Sequence, residues 1–191
     1  MAILEDSKDT AAIVAATRHW LEAAVIGLNL CPFAKSVHIK GQARHAVSDA
    51  RTPEELLGDL VAELQRLHAT PAEETDTTLL IHPWVLGDFL DYNAFLDVAE
   101  AAVDELGLSG ELQVASFHPD YQFADAGADD IGNFTNRSPY PILHLLREAS
   151  IDRAVAAFPD AEEIYSRNIE TMQRLGLDGW KALMAAPKDE K

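Results

Sequence analysis

Two β-prone runs, Thr77 to Ile81 and Glu111 to Phe117, each end on a His-Pro pair, and Asp91 to Leu106 between them carries apolar residues at helical spacing. Strand, helix and strand in that order make a βαβ unit, whose crossover returns the chain to the same end of a sheet so that the two strands run parallel. This restricts the chain to an α/β architecture in which helices pack on a sheet. The helical stripe is Phe95, Val98, Ala99, Ala102 and Val103, stopped by Gly107. Leu80-Ile81-His82-Pro83 and Ser116-Phe117-His118-Pro119 resemble each other locally, but there is no internal repeat of about 20 to 50 residues.

Further helices are marked on either side. From Asp9 to Leu28, the residues Ile13, Ala16, Trp20, Ala24 and Leu28 fall about one turn apart behind candidate caps at Ser7 or Asp9, which predicts an amphipathic helix ending at Asn29-Leu30-Cys31-Pro32. Pro32 opens a short second helix, because its missing N–H is harmless at a first helical position. A weak strand over Arg44 to Asp49 precedes Thr52-Pro53-Glu54-Glu55, a capping box with proline at the first helical position. The helix it opens buries Leu56, Leu57, Leu60, Val61, Leu64 and Leu67. Asp120 to Arg137 has little periodicity, which in a compact domain marks a functional or mobile loop. Ser138-Pro139 reads as a second cap-and-proline start, for a helix through Leu143, Leu146 and Arg147, and a last helix runs from about Asp160 to Leu175 and stops at Gly176. The expected fold is one α/β domain over residues 1–184, with a small, at least partly parallel sheet of three or more strands flanked by long helices. A flexible tail is expected over residues 185–191.

Composition bounds the function. The 191 residues are 48% hydrophobic and 25% charged, as in a folded domain with a sizeable core. Asp and Glu number 32 against 15 Lys and Arg, for a net charge of −17, which opposes binding to nucleic acid or an anionic membrane across a broad surface. A small anionic ligand remains compatible where a few arginines gather at one point. The single cysteine, Cys31, excludes an internal disulfide and any multi-cysteine zinc or iron–sulfur site, and suits a reducing compartment. No leader is evident and no run nears the roughly 20 apolar residues of a membrane span, so the expected location is cytoplasmic.

Several motifs stand together: Leu30-Cys31-Pro32-Phe33-Ala34, then Phe117-His118-Pro119 with Tyr121 and Phe123, then Asn136-Arg137-Ser138-Pro139-Tyr140-Pro141 followed by His144, Leu146, Arg147 and Glu148. In this combination the chain resembles a bacterial family catalogued as domain of unknown function 1415. The resemblance covers nearly the whole chain, and Arg-Ser-Pro-Tyr-Pro is its most specific part. It implies common descent and brings no mechanism, so the chemistry rests on the residues.

His82 and His118 lie just past the carboxyl ends of strands read as parallel, where open α/β sheets form ligand crevices. Alternatively each His-Pro merely ends a strand, its ring bonded to a nearby carbonyl. Asp120 and Tyr121 can orient His118 as a general base, although Asp after Pro is also a turn-former. Arg137, just before the expected helix start, can join the first-turn N–H groups in holding a carboxylate or phosphate, with Ser138 read as a cap rather than a nucleophile. On that helix His144, Arg147 and Glu148 share one face, as pocket floor or as a solvated ion-pair face. Cys31, at a helix start with Lys35 one turn on, is either a stabilised thiolate or a small buried hydrophobe.

A site built from some of Cys31, His82, His118 and His144 would suit zinc or iron, although no paired-ligand spacing marks them and no Gly-rich phosphate loop is present. The leading expectation is an enzyme acting on a small anionic metabolite, with His118 as acid/base, Arg137 as anion anchor and His144, Arg147, Asp120 and Tyr121 as walls, in a variant assisted by metal. The alternatives are a non-catalytic module that binds a small ligand or a protein, and a scaffold without pocket chemistry.

Overall fold

The computed structural model describes residues 2–157 and 163–185, with backbone alone for residues 2–9. Helix α1 (Ala2–Trp20) runs into a π-helical turn (Leu21–Ile26), followed by α2 (Ala34–Ile39), β1 (Ala43–Val47), α3 (Pro53–Ala69), β2 (Thr77–Ile81) and α4 (Phe89–Glu105). Then come β3 (Leu112–Phe117), a 3₁₀ turn (Ile131–Thr135), β4 (Ile142–Arg147), α5 (Glu148–Ala156) and α6 (Ile164–Met184).

The four strands form one mixed sheet in the order β1-β2-β4-β3. β1 and β2 are parallel neighbours joined across α3, and β4 runs antiparallel to both β2 and β3. β2 and β3 therefore point the same way, as their βαβ pattern implies, with β4 inserted between them.

β4 occupies the place where the sequence predicts a helix opening at Ser138-Pro139, and no helix starts there. Pro141 disfavours the helical region for Tyr140 before it. Ile142-Leu143-His144-Leu145-Leu146 is then a central strand with apolar residues on both faces, a near-continuous apolar run that periodicity alone does not separate from a buried helix. Helical geometry begins only at Glu148, immediately after the strand.

Other boundaries move for identifiable reasons. α1 begins at Ala2, so Ser7 and Asp9 lie inside it and neither caps it. Its buried positions Ile13, Thr17 and Trp20 continue as Leu21, Ala24 and Val25, because i→i−5 bonds such as Gly27 N–H to Glu22 O (3.0 Å) shift the phase of the stripe. The capping box forms as expected, with Thr52 Oγ1 accepting from Glu55 N and a Glu55 carboxylate oxygen accepting from Thr52 N. α4 starts earlier than Asp91, at Phe89, because Asp88 accepts from the N–H groups of Leu90 and Asp91. In α6, Gly176 has φ 67° and breaks the helical geometry, yet the helix resumes because Trp180 is buried against Phe134, with ring centroids 5.4 Å apart. The expected start at Asp160 and the tail beyond Ala185 lie outside the described residues.

Alternation divides the sheet into two faces. Ala46, Leu80, Leu143, Leu145 and Leu112 pack beneath α3 and α4, where Leu56, Leu60, Leu64 and Leu67 are sealed, each contributing on the order of 2 kcal/mol by leaving water. On the opposite face the register sets three rows: Val47, Ile81, Ile142 and Phe117; then His45, Leu79, His144 and Ala115; then Ala43, Thr77, Leu146 and Gln113. The first row meets Trp20, Leu21, Val25, Phe134 and Met172 in a second core.

Candidate functional site

At the carboxyl ends of β2 and β3 the chain builds a plug. His82 and His118 are both fully buried and flank Tyr92, with ring centroids 5.7 and 5.0 Å from it. His118 Nδ1 accepts from the N–H of Asp120 (3.0 Å), so its Nε2 carries the proton and donates to Leu86 O (3.1 Å). His82 Nδ1 likewise donates to Val85 O (3.0 Å). The two imidazoles thus staple the loop that leads into α4, including Leu86, a leucine held at φ 57°. Tyr92 ties the strand ends, its hydroxyl donating to Ile142 O and accepting from Phe117 N. Burial lowers the pKa of His118 and pushes His82 down to about 4. Neither nitrogen of His118 is open to a substrate, and the unpaired Nε2 of His82 is sealed from solvent, so the crevice expected at this end is closed.

Asp120, Tyr121, Arg137 and Ser138 do converge on His118, chiefly through the backbone. His118 N–H donates to Asn136 O, and the N–H groups of Tyr121 and Ser138 donate to His118 O. Arg137 donates to Tyr121 O (3.2 Å) and Ala128 O (2.8 Å), and its guanidinium lies 4.2 Å from the Phe134 ring. Ser138 Oγ donates to Tyr140 O. With no helix starting at Ser138, the expected anion anchor loses its N–H groups, and the guanidinium serves as a clamp on the loop. Asn133, buried and missed by the sequence reading, completes that clamp by accepting from Phe123 N and donating to Gly127 O. Asp120 is exposed and uses its backbone, not its carboxylate, on His118.

His144, Arg147 and Glu148 do not share a helical face. Arg147 points to the α3 side, where it donates to the carbonyls of Leu67, Thr70 and Thr75 and so caps the end of α3. Glu148 opens α5, its N–H donating to Glu111 O. His144 points to the other face and lines a cleft.

This cleft, of about 840 Å³, lies over the rows of His144 and Leu146, at the amino ends of the parallel pair and away from the plug. Its floor is Thr77, Leu79, Ala115, His144 and Leu146; Trp20, Leu21, Val25 and Phe117 close the inner side, and α2 and α5 form the walls. Lys40, Glu73, Asp76 and Arg153 border the mouth, so both charge signs meet there. Thr77 Oγ1 donates to Leu145 O (2.6 Å) and faces His144 Nε2 at 2.8 Å. Enclosure, with a smaller effect from His45, pushes the His144 pKa down to about 4. Cys31 also borders the cleft. It precedes a helix of only six residues and burial raises its pKa, opposite to the direction a stabilised thiolate needs.

The candidate metal ligands fall at the two ends of the sheet, Cys31 and His144 at the cleft and His82 and His118 in the plug. Among the described residues no group of three or more His, Cys, Asp or Glu side chains is arranged to hold a metal ion. No helix among them is long and apolar enough to cross a membrane.

The family model described as "Protein of unknown function (DUF1415)" matches residues 12–182, and the chain belongs to that family. No curated protein and no solved structure matches the chain.

Proposed function

We propose that this member of the family is a binding protein for a small, largely apolar molecule held in the cleft over Thr77, Leu79, Ala115, His144 and Leu146. The observation that carries this reading is the cleft itself: about 840 Å³, within the range of sites that take a drug-sized ligand, walled by apolar side chains with a few convergent polar groups. The geometry favours binding over the acid/base reading, because the imidazole of His118 spends its one donor on a backbone carbonyl, and the guanidinium of Arg137 is tied to the loop by two such bonds and by the Phe134 ring.

Fluorescence titration with the neutral dye N-phenyl-1-naphthylamine tests the proposal. Saturable one-site binding is expected, weakened at least about tenfold in Ala115→Phe and in Leu146→Trp, which occupy the space. Circular dichroism checks that both variants keep the parent fold. Absence of saturable binding by the parent, or equal binding by folded variants, overturns the proposal.

A further inference from the structure

We infer that the cleft selects an uncharged ligand that presents an O–H or N–H donor to Nδ1 of His144. This inference rests on the cleft being a binding site and names the chemistry of its ligand.

Thr77 fixes the tautomer of His144. Its hydroxyl oxygen and Leu145 O are 2.6 Å apart, and two oxygens approach that closely only with a proton between them. A carbonyl has no proton to give, so the single hydroxyl hydrogen of Thr77 is committed to Leu145. Thr77 Oγ1 can then only accept from His144 Nε2 at 2.8 Å, which makes Nε2 the protonated nitrogen. In the neutral ring Nδ1 is left with a lone pair and is an acceptor. With a pKa of about 4, His144 stays neutral at physiological pH.

No described residue donates to Nδ1. The unpaired ring nitrogens sealed from solvent are those of His45 and His82, whereas His144 borders the cleft. An apolar-walled space thus has an unsatisfied acceptor on its floor, flanked by Leu79, Ala115 and Leu146 in the sheet register. An alcohol, phenol, amide N–H or indole N–H satisfies it. A carboxylate would set lone pairs against a lone pair, and an ammonium would lose its hydration among apolar walls. Of the cationic residues lining the cleft, Lys40 and Arg153 are exposed, as is Glu73, Arg153 donates to Ser150 Oγ, and Arg147 donates to the carbonyls of Leu67, Thr70 and Thr75.

Three matched probes separate these cases by isothermal calorimetry at pH 7: 2-naphthol, which has a donor; 2-methoxynaphthalene, which lacks one; and 2-naphthoate, which is charged. 2-Naphthol is expected to bind about five- to tenfold more tightly than the ether, the range of one neutral hydrogen bond, and more tightly than the carboxylate. In His144→Phe, which keeps a ring and leaves the Thr77 to Leu145 bond intact, the preference for naphthol over the ether is expected to fall below about twofold. If all probes bind without preference, if naphthoate binds best, or if the preference survives in His144→Phe, the donor inference fails while the cleft stands. If no probe binds, or if the parent forms a dimer whose dissociation is needed before any probe enters, the reading of the cleft itself fails.

Discussion

Acid should unfold this protein partly through His82, and the size of that effect follows from its environment. The imidazole is fully buried, stacked on Tyr92 and held neutral, with a pKa of about 4 against 6.5 in an unfolded chain. Between those values the unfolded state binds a proton that the folded state does not. The stabilisation due to the neutral ring is therefore complete above about pH 6.5 and is lost as pH falls toward about 4. At about 1.4 kcal/mol per pH unit of proton difference, lowering the pH from 7 to 4.5 costs about 2 kcal/mol through this one group. Many carboxylates titrate over part of the same range, so the test is a difference between two proteins. His82→Phe keeps the stacking and loses the bond to Val85 O, so at pH 7 it should be less stable than the parent by about 1 to 2 kcal/mol. Urea unfolding followed by circular dichroism at pH 7 and at pH 4.5 should show that deficit closing or reversing at the lower pH. A deficit that stays constant within about 0.5 kcal/mol would refute the reasoning, because a ring that protonates equally in both states contributes no pH dependence.

Two substitutions test the roles assigned to the arginines. Arg147→Met removes the donor shared by the carbonyls of Leu67, Thr70 and Thr75 and should cost about 2 to 3 kcal/mol in urea unfolding, the range for hydrogen bonds to a charged group. Amide exchange should quicken most in the last turn of α3; uniform acceleration would count against a capping role. Arg137→Ala should hasten limited proteolysis between Tyr121 and Arg137, the segment its guanidinium clamps, and leave naphthylamine binding within about twofold of the parent. Loss of dye binding in folded Arg137→Ala protein would tie the loop to the cleft and refute their separation.

The fold was legible wherever local chemistry and tertiary packing agree. The α3 capping box and its leucine stripe needed only residues within one helix, and β2 and β3 were bounded by their His-Pro pairs. β4 was not legible, because a central strand with apolar residues on both faces loses the alternation that identifies strands. That one misreading carried most of the site with it. As a helix, residues 138–148 set His144, Arg147 and Glu148 side by side and gave Arg137 a helix terminus to work with. As a strand they send His144 and Arg147 to opposite faces, and the partnership of His144 with Thr77 depends on a β2–β4 register that no spacing in the sequence announces. The His-Pro pairs show the complementary failure: the strand-end rule located His82 and His118 correctly, but their nitrogens had nearer carbonyls to satisfy, which only the path of the loop through Val85 and Leu86 reveals.

The cleft is better understood as a consequence of how the sheet is covered than as a packing fault. Sealed and dry, a void of about 840 Å³ would cost on the order of 20 kcal/mol at roughly 24 cal/mol per Å³, beyond the roughly 5 to 15 kcal/mol that holds a typical domain together. The space must therefore communicate with solvent or be filled. The row of Val47, Ile81, Ile142 and Phe117 lies in the second core together with Leu79 of the next row, and among the described residues coverage thins beyond them over His144, Ala115 and Leu146. The next two rows include Ala43 and Ala115, too short to fill the space above them. The neighbouring helices do not close it: α2 is only six residues long, and α5 leaves β4 without an intervening loop. Its starting point is pinned by the bond from Glu148 N–H to Glu111 O and by the grip of Arg147 on α3. Collapse would have to break those anchors, so the wall formed by α5 stands off for reasons independent of any ligand, and a molecule entering the cleft meets His144 on a floor already formed.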